Sequence, residues 1–416
     1  MAEELVDQPD SVAEELVDQP DAVAETVAHQ DVGREYVFTE EQGQLRAAVR
    51  AFAAEHFDES SVRRIMESDP PFDARLWGRL GAELGVLGLS APEADGGVGG
   101  SLVDQAVAVE ALGARLACGP LFGTVYLAIP ALVAASSGPV RDELLAELVE
   151  GRRTAAFAVG DRAGAFDPAA VTVTADRDAL TGSVNGVVDA SYADEILVAA
   201  TSSDGTALYA VDATADGVTR TPLATLDLTR PQAHLAFDGA AARLIAGPED
   251  AEHVIAHALR VGAALLAVEQ VGAAQHLLDL SVDYAKTRLQ FGRPIGSFQA
   301  VKHELADLLV DTEHARSAAF HAVWALADGS DDPALAASIA QAVASAALNR
   351  VATGAIQVHG GIGFTWEHQA HLYFKRAITD AALLGSAEQH RHRVAELVLD
   401  TATVDRAPRV ADGLPA

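Results

Sequence analysis

Residues Tyr284–Leu308 read YAKTRLQFGRPIGSFQAVKHELADL, and their organisation decides the fold. Helical spacing runs up to Arg288. A turn through Gly292, Pro294 and Gly296 then stops it, because neither residue type sustains a helix interior. A new helical stretch opens with Ser297 as its cap and Gln299 in its first turn. Working outward, Ala251–Thr287, Ser297–Ala327, Pro333–His359 and Tyr373–Thr401 are Ala- and Leu-rich segments. Four helices of that length joined by short connections predict a bundle.

Upstream, between about Arg153 and Ala246, the period changes. TAAFAVG, AVTVTAD, EILVAAT, ALYAVDA and AHLAFDG are short runs separated by Gly, Asp and Ser turns. They predict a small antiparallel β domain. Before it the pattern is helical again. Thr39 can cap TEEQGQLRAAVRAFAAEHF, whose Leu45, Val49, Phe52 and Ala53 form one stripe. Further helical runs cover Asp73–Leu84, Leu102–Leu116 and Gly138–Leu148, with a glycine-rich loop at Gly96–Gly100. The expected class is α+β, mainly α. Residues 1–36 form an acidic tail, 37–152 a helical domain, 153–248 the β domain, 249–404 the bundle and 405–416 a second tail.

The first tail has its own logic. Ala2–Asp10 (AEELVDQPD) recurs unchanged as Ala13–Asp21, and residues 1–33 hold ten carboxylates but no Lys or Arg. Too little apolar surface is present to offset chain entropy, so a solvated segment is expected, with docking to a partner as the other reading.

Composition narrows the function. The chain has 416 residues, 50% hydrophobic, with a formal net charge of −31 and a pI near 4.6. Such a surface repels nucleic acids and anionic membranes, so neither is expected as a partner. An anionic ligand would need the scarce Arg and Lys gathered locally. Cys118 is the only cysteine, which excludes an intrachain disulfide. The absence of a basic, apolar leader and of an uninterrupted apolar stretch gives the expectation of a cytoplasmic protein without a membrane span.

Two segments carry chemistry. Arg288 is an always-charged donor able to fork onto phosphate oxygens, although a surface charge next to a core Phe291 would look the same. The second segment is Gln357–Arg376, QVHGGIGFTWEHQAHLYFKR. Adjacent Gly360 and Gly361 let backbone approach a ligand closely. Glu367, beginning the next helical stretch and flanked by Phe364 and Trp366, could lose water and become a stronger base, or could merely cap a helix. His368, His371, His390 and His392 lack a carboxylate–His spacing on one helix face, and no metal site is expected.

Taken together, and in this order, these segments resemble the acyl-CoA dehydrogenase family. Phe38–Phe52 looks like that family's opening helix, and Leu87–Gly100 with Glu110–Gly113 resembles its GL…PE..GG.G…..EALG stretch. The resemblance implies an N-terminal helical domain, a middle β domain and a C-terminal four-helix bundle, with FAD as cofactor. Arg288 with Phe291, and Gln299 of the same motif, would contact the FAD of a neighbouring subunit. Gln357, Gly360 and Gly361 would lie along its pyrophosphate. Glu367 would remove the α-proton of an acyl-CoA thioester while the β-carbon gives hydride to flavin N5. The backbone N–H of Glu367 and a ribityl hydroxyl would hold the thioester oxygen. Electrons would pass to an electron-transfer flavoprotein. Some branched-chain members take the base from an earlier helix, and that place falls on or near Gly262, which cannot serve.

The middle region departs from the family. Its T-E-P-x-x-G-S-D and W-I-[ST]-N stretches are replaced by AVGDRAGAFDP and GSVNGVVDASYAD, and its E-G-T turn by LLGS (Leu383–Ser386). These departures resemble a subgroup of actinobacterial sterol and cholate catabolism in which unlike subunits pair as α2β2. A homotetramer or a heterotetramer is therefore expected. The alternative to a dehydrogenase is a non-catalytic or base-only partner subunit of a heteromeric one.

Overall fold

The structure, a computed structural model, describes residues 37–162 and 165–404. Both predicted tails lie outside the described residues. The chain divides into two compact units, ending and beginning at Gly43 and Gln44. In the first, Thr39 caps as expected: its hydroxyl accepts from Gln42 N at 3.2 Å while Gln42 Oε1 accepts from Thr39 N at 3.0 Å.

Helices come first: α1 (Glu40–His56), α2 (Glu59–Met66), α3 (Ala74–Ala82), α4 (Leu102–Gly113), α5 (Ile129–Ala134) and α6 (Pro139–Val149). Asp58, Asp73 and Ser101 cap α2, α3 and α4 through side-chain oxygens. Two of these elements are absent from the sequence reading. One is α2, whose stripe of Val62, Ile65 and Met66 spans little more than a single turn. The other is α5 with the wide π-type turn Leu121–Ala128 before it. LFGTVYLAIPALVA is apolar on every side because it is buried on every side, so no stripe marks it.

Strands follow: β1 (Ala155–Ala158), β2 (Asp161–Arg162), β3 (Ala165–Phe166), β4 (Val173–Asp176), β5 (Ala179–Val188), β6 (Glu195–Ser202), β7 (Gly205–Asp212), β8 (Val218–Pro222), β9 (Gln232–Ala241) and β10 (Arg243–Ala246). The main sheet runs β10-β7-β6-β4-β5-β9-β8, with β1 also on β6. The expectation of an antiparallel sheet needs correction, because β1 and β4 both pair parallel to β6. Long connections separate each of these strands from β6, and only such connections permit parallel pairing. Val173, Leu180, Ile196, Val198, Leu235 and Phe237 fill the core of this region.

The last part holds α7 (Ala251–Thr287), the hairpin β11 (Leu289–Gln290) and β12 (Arg293–Pro294), α8 (Gln299–Asp328), α9 (Pro333–His359), α10 (Ala370–Asp380) and α11 (Ala387–Val404). The stretch read as one fourth helix is thus two, α10 and α11. The break is a turn in which Leu384 and Gly385 have φ of +54° and +98°. Ser297 does not cap α8; its hydroxyl donates to Pro294 O at 2.7 Å, and Phe298 stands at the cap. Among the described residues, α7 and the stretch Pro333–Phe364 are long and apolar enough to cross a membrane. The apolar window of α7 is 83% buried inside the protein, where it packs against α4, α8 and α9.

Candidate active site

Tyr284 stands one turn before Arg288 on α7, and His359 precedes Gly360 at the end of α9. Their rings stack with centroids 4.5 Å apart, and the His359 ring lies 4.3 Å from that of His368. This chain of rings joins the Arg288 segment, the Gly360 segment and the turn carrying Glu367. Burial holds the imidazoles of His359 and His368 below their usual range, so they pack as neutral rings at neutral pH.

Arg288, Gln299, Gln357, Gly360, Gly361 and Glu367 are all exposed, and Phe291 is 90% exposed at the tip of the β11–β12 hairpin. The hairpin folds back over α7, with the Phe291 and Phe298 rings edge to face at 6.1 Å. Glu367 lies in a turn ahead of α10, rather than starting a helix. Among the described residues it makes no hydrogen bond or ion pair. Its neighbours Phe364 and Trp366 are 74% and 57% exposed, and Lys375 Nζ sits 4.3 Å from the Trp366 ring centre. Gln357 stands apart on α9, lining a groove against Glu304, Leu308 and Asp311 of α8.

A flavin dinucleotide can be tested against these groups. Gly360 has φ +65° and ψ −144°, and a Cβ built on Gly360 or Gly361 meets no atom within 4 Å. Bare backbone on one segment and an exposed guanidinium on the segment stacked against it are groups that fit the phosphate edge of such a cofactor. The middle domain offers a poorer fit. In the stretch replacing W-I-[ST]-N, Asp189 is buried at φ +64°, accepting from Gly123 N at 2.9 Å and Tyr192 Oη at 2.7 Å. Burial lifts its carboxyl to about 6 despite those donors. That side chain is committed to holding β5 against the π-type turn.

The two other departures meet in space. A Cβ on Gly262 would lie 2.5 Å from Leu127 Cδ2 and 3.3 Å from Leu384 Cδ1. The place of the earlier-helix base and the altered E-G-T turn therefore face each other through apolar carbon.

α10 is anchored by a buried ion cluster that the sequence reading missed. Arg376 donates from Nε to Asp227 Oδ2 at 2.8 Å, from Nη2 to Thr229 Oγ1 at 2.6 Å, and from Nη1 to Glu269. Arg230 forks onto both Glu269 oxygens at 2.6 Å and reaches Asp380 Oδ1 at 2.8 Å. Tyr126 Oη donates to Glu269 Oε2 at 2.7 Å. Burial alone would raise the Glu269 carboxyl, but Arg230 and Arg376 outweigh it and bring it down to about 2. Asp380 goes the other way, pushed up to about 7 by burial against the opposing pull of Arg230. One signal could have found this site: Glu269 is a lone carboxylate inside the apolar run VGAALLAVEQVGAA, and a charge buried there needs a partner.

Residues 39–152 match the family model for the acyl-CoA dehydrogenase N-terminal domain, and 253–399 the one for the C-terminal domain. The chain is 39% identical over 355 residues to acyl-CoA dehydrogenase IpdE2 of Mycobacterium tuberculosis, spanning 85% of this chain and 96% of that one. Among solved structures it resembles the Tcur3481-Tcur3483 steroid ACAD G363A variant, with 31% identity and a TM-score of 0.79 over 88% of this chain and 99% of that one. It also resembles the ChsE4-ChsE5 complex from Mycobacterium tuberculosis, with 30% identity and a TM-score of 0.78 over 89% and 99% of the two chains. The likeness thus includes the steroid-type members that the altered middle region suggested. On these grounds the chain belongs to the acyl-CoA dehydrogenase family.

Proposed function

We propose that the protein catalyses FAD-dependent α,β-dehydrogenation of an acyl-CoA thioester, as one chain of an oligomer whose active site is completed across an interface. The observation that carries this reading is the common exposure of Arg288, Phe291, Gly360, Gly361 and Glu367 on segments tied together by the Tyr284–His359–His368 ring chain. A set built for a flavin held within the same chain would be buried against the middle domain. Here Asp189, in the stretch that replaces W-I-[ST]-N, is engaged with Gly123 and Tyr192 instead.

In this reading Arg288 binds phosphate oxygens of FAD and the Gly360–Gly361 backbone lies along its pyrophosphate, while Phe291 and Gln299 hold the same group from the hairpin. When bound, FAD supplies the acceptor for the hydride leaving the β-carbon. Glu367 takes the α-proton. It has no internal partner to compete for that proton, and the exposed Phe364 and Trp366 exclude water once another chain covers them. The acyl group belongs to the steroid-like class, electrons leave through an electron-transfer flavoprotein, and an unlike subunit in an α2β2 arrangement supplies the remaining flavin contacts.

The test is anaerobic flavin bleaching by an acyl-CoA panel, using the protein alone and co-expressed with candidate sister chains. Glu367→Gln should slow bleaching by about 10²–10⁴-fold in the active assembly. Unchanged bleaching would overturn the assignment of Glu367 and leave this chain as a partner of a subunit carrying the base.

A further inference from the structure

Behind α10 lies a cavity of about 180 Å³ between α1, α4 and α7, lined by Arg50, Glu110, Arg115, Gln275, His276 and Asp279 among others. At ~30 Å³ per water it has room for about six waters, or for one small anion with part of its shell. Its charges are unusual in a chain of net charge −31. Glu110 is buried and already neutralised by Arg46, at 3.3 Å, and by Arg316. Asp279 accepts from Gln275 Nε2 at 2.9 Å on the rim. The side chains of Arg50 and Arg115 have no hydrogen bond or ion pair among the described residues, and Arg115 is half-buried. His276 lines the same wall, with its Nε2 shut off from solvent.

The ordinary explanation for Arg115, capping the end of α4, fails. The carbonyls there are satisfied without it: Glu110 O by Ala114 N, Leu112 O by Arg115 N, Gly113 O by Leu116 N, and Ala114 O by Tyr373 Oη. Counting Arg46, Arg50, Arg115 and Arg316 against Glu110, Asp279 and the Glu313 that pairs with Arg316, the local charge is +1 with His276 neutral. Burial, with Arg115 beside it, keeps that imidazole neutral.

We propose that this cavity is a binding site for a tetrahedral oxyanion, a phosphate group held by the guanidinium groups of Arg50 and Arg115. Two guanidinium groups brought together from α1 and the end of α4 suit the several oxygens of a phosphate, and such fork-shaped groups bind those oxygens strongly. The site is distinct from the Arg288–Gly360 surface. It touches α10 through Tyr373 Oη, which donates to Ala114 O at 2.9 Å, and through Gln369, whose side chain meets His276.

The experiment is calorimetric titration of inorganic phosphate and, separately, adenosine 3′,5′-bisphosphate into the assembled protein, with ionic strength matched by chloride. Saturable binding is expected, weakened about tenfold or more in Arg50→Gln and in Arg115→Gln. The surface control Arg391→Gln should bind as the parent does. Tighter binding of the bisphosphate would identify a nucleotide source, and equal binding a free phosphate. Circular dichroism melts show whether each variant is folded. Equal binding by parent and folded Arg115→Gln would overturn the proposal. So would an altered subunit assembly in Arg50→Gln or Arg115→Gln without saturable phosphate binding in the parent, since the cavity would then receive a carboxylate of another chain.

Discussion

The Tyr284 ring lies on the His359 ring with centroids 4.5 Å apart and planes at 28°, which makes two distant sequence segments one surface. Arg288 rides on one side of that contact and Gly360 on the other. Tyr284→Leu should cost about 0.5–1.5 kcal/mol beyond the lost area. It should also weaken flavin retention in the assembled enzyme, whereas Tyr284→Phe keeps both. Urea denaturation and the flavin-to-protein absorbance ratio check the two halves, and equal retention by Leu and Phe variants would detach the stacking from cofactor binding.

Much of this surface was legible beforehand, because it rests on glycines, a proline and an arginine whose effects are local. Gly292, Pro294 and Gly296 end α7 wherever it sits, and Gly360 ends α9 for the same reason. The ion cluster was not legible. Asp227, Arg230, Glu269, Arg376 and Asp380 come from three separate stretches, and only tertiary packing brings Arg230 onto Glu269. The Leu121–Ala134 region was missed because burial on all sides erases the periodicity on which a sequence reading depends. The register of β1 on β6 also escaped, since parallel pairing leaves no turn signal between the two strands.

Arg230 is the hinge of the cluster, facing Glu269 and Asp380 together. Arg230→Met would leave those carboxylates buried with one guanidinium between them, and breaking such a pair costs about 3–5 kcal/mol. Equilibrium denaturation should show the loss. A variant as stable as the parent would mean that water reaches the cluster.

Gly262 is required by packing rather than by backbone angle. Gly262→Ala would put a methyl 2.5 Å from Leu127 Cδ2, and overpacking of this kind costs about 1–3 kcal/mol. Because the obstructing atom ends a flexible side chain, Leu127→Ala in the same protein should recover part of the loss. Strict additivity of the two changes in denaturation would show that Leu127 is not the obstacle.

Asp380 gives the fold a pH dependence with a definite sign. Its carboxyl rises from an ordinary 3.8 to about 7, through burial and the nearby Glu269 charge, with Arg230 and Arg376 opposing. The folded state therefore holds this proton more tightly than the unfolded chain does. Its stabilising contribution is complete below about pH 4 and is lost as pH rises towards 7. Glu269 behaves oppositely: lowered from 4.5 to about 2, it stabilises above about pH 4.5, and that contribution disappears as pH falls towards 2. The contribution of Asp380 to the parent's stability should therefore fall between pH 4.5 and 7, together with that of Asp189 and against the rising contribution of the buried histidines. Asp380→Asn, which cannot ionise, should flatten that segment while leaving the acid limb set by Glu269. A slope unchanged by Asp380→Asn would place the titrating group elsewhere.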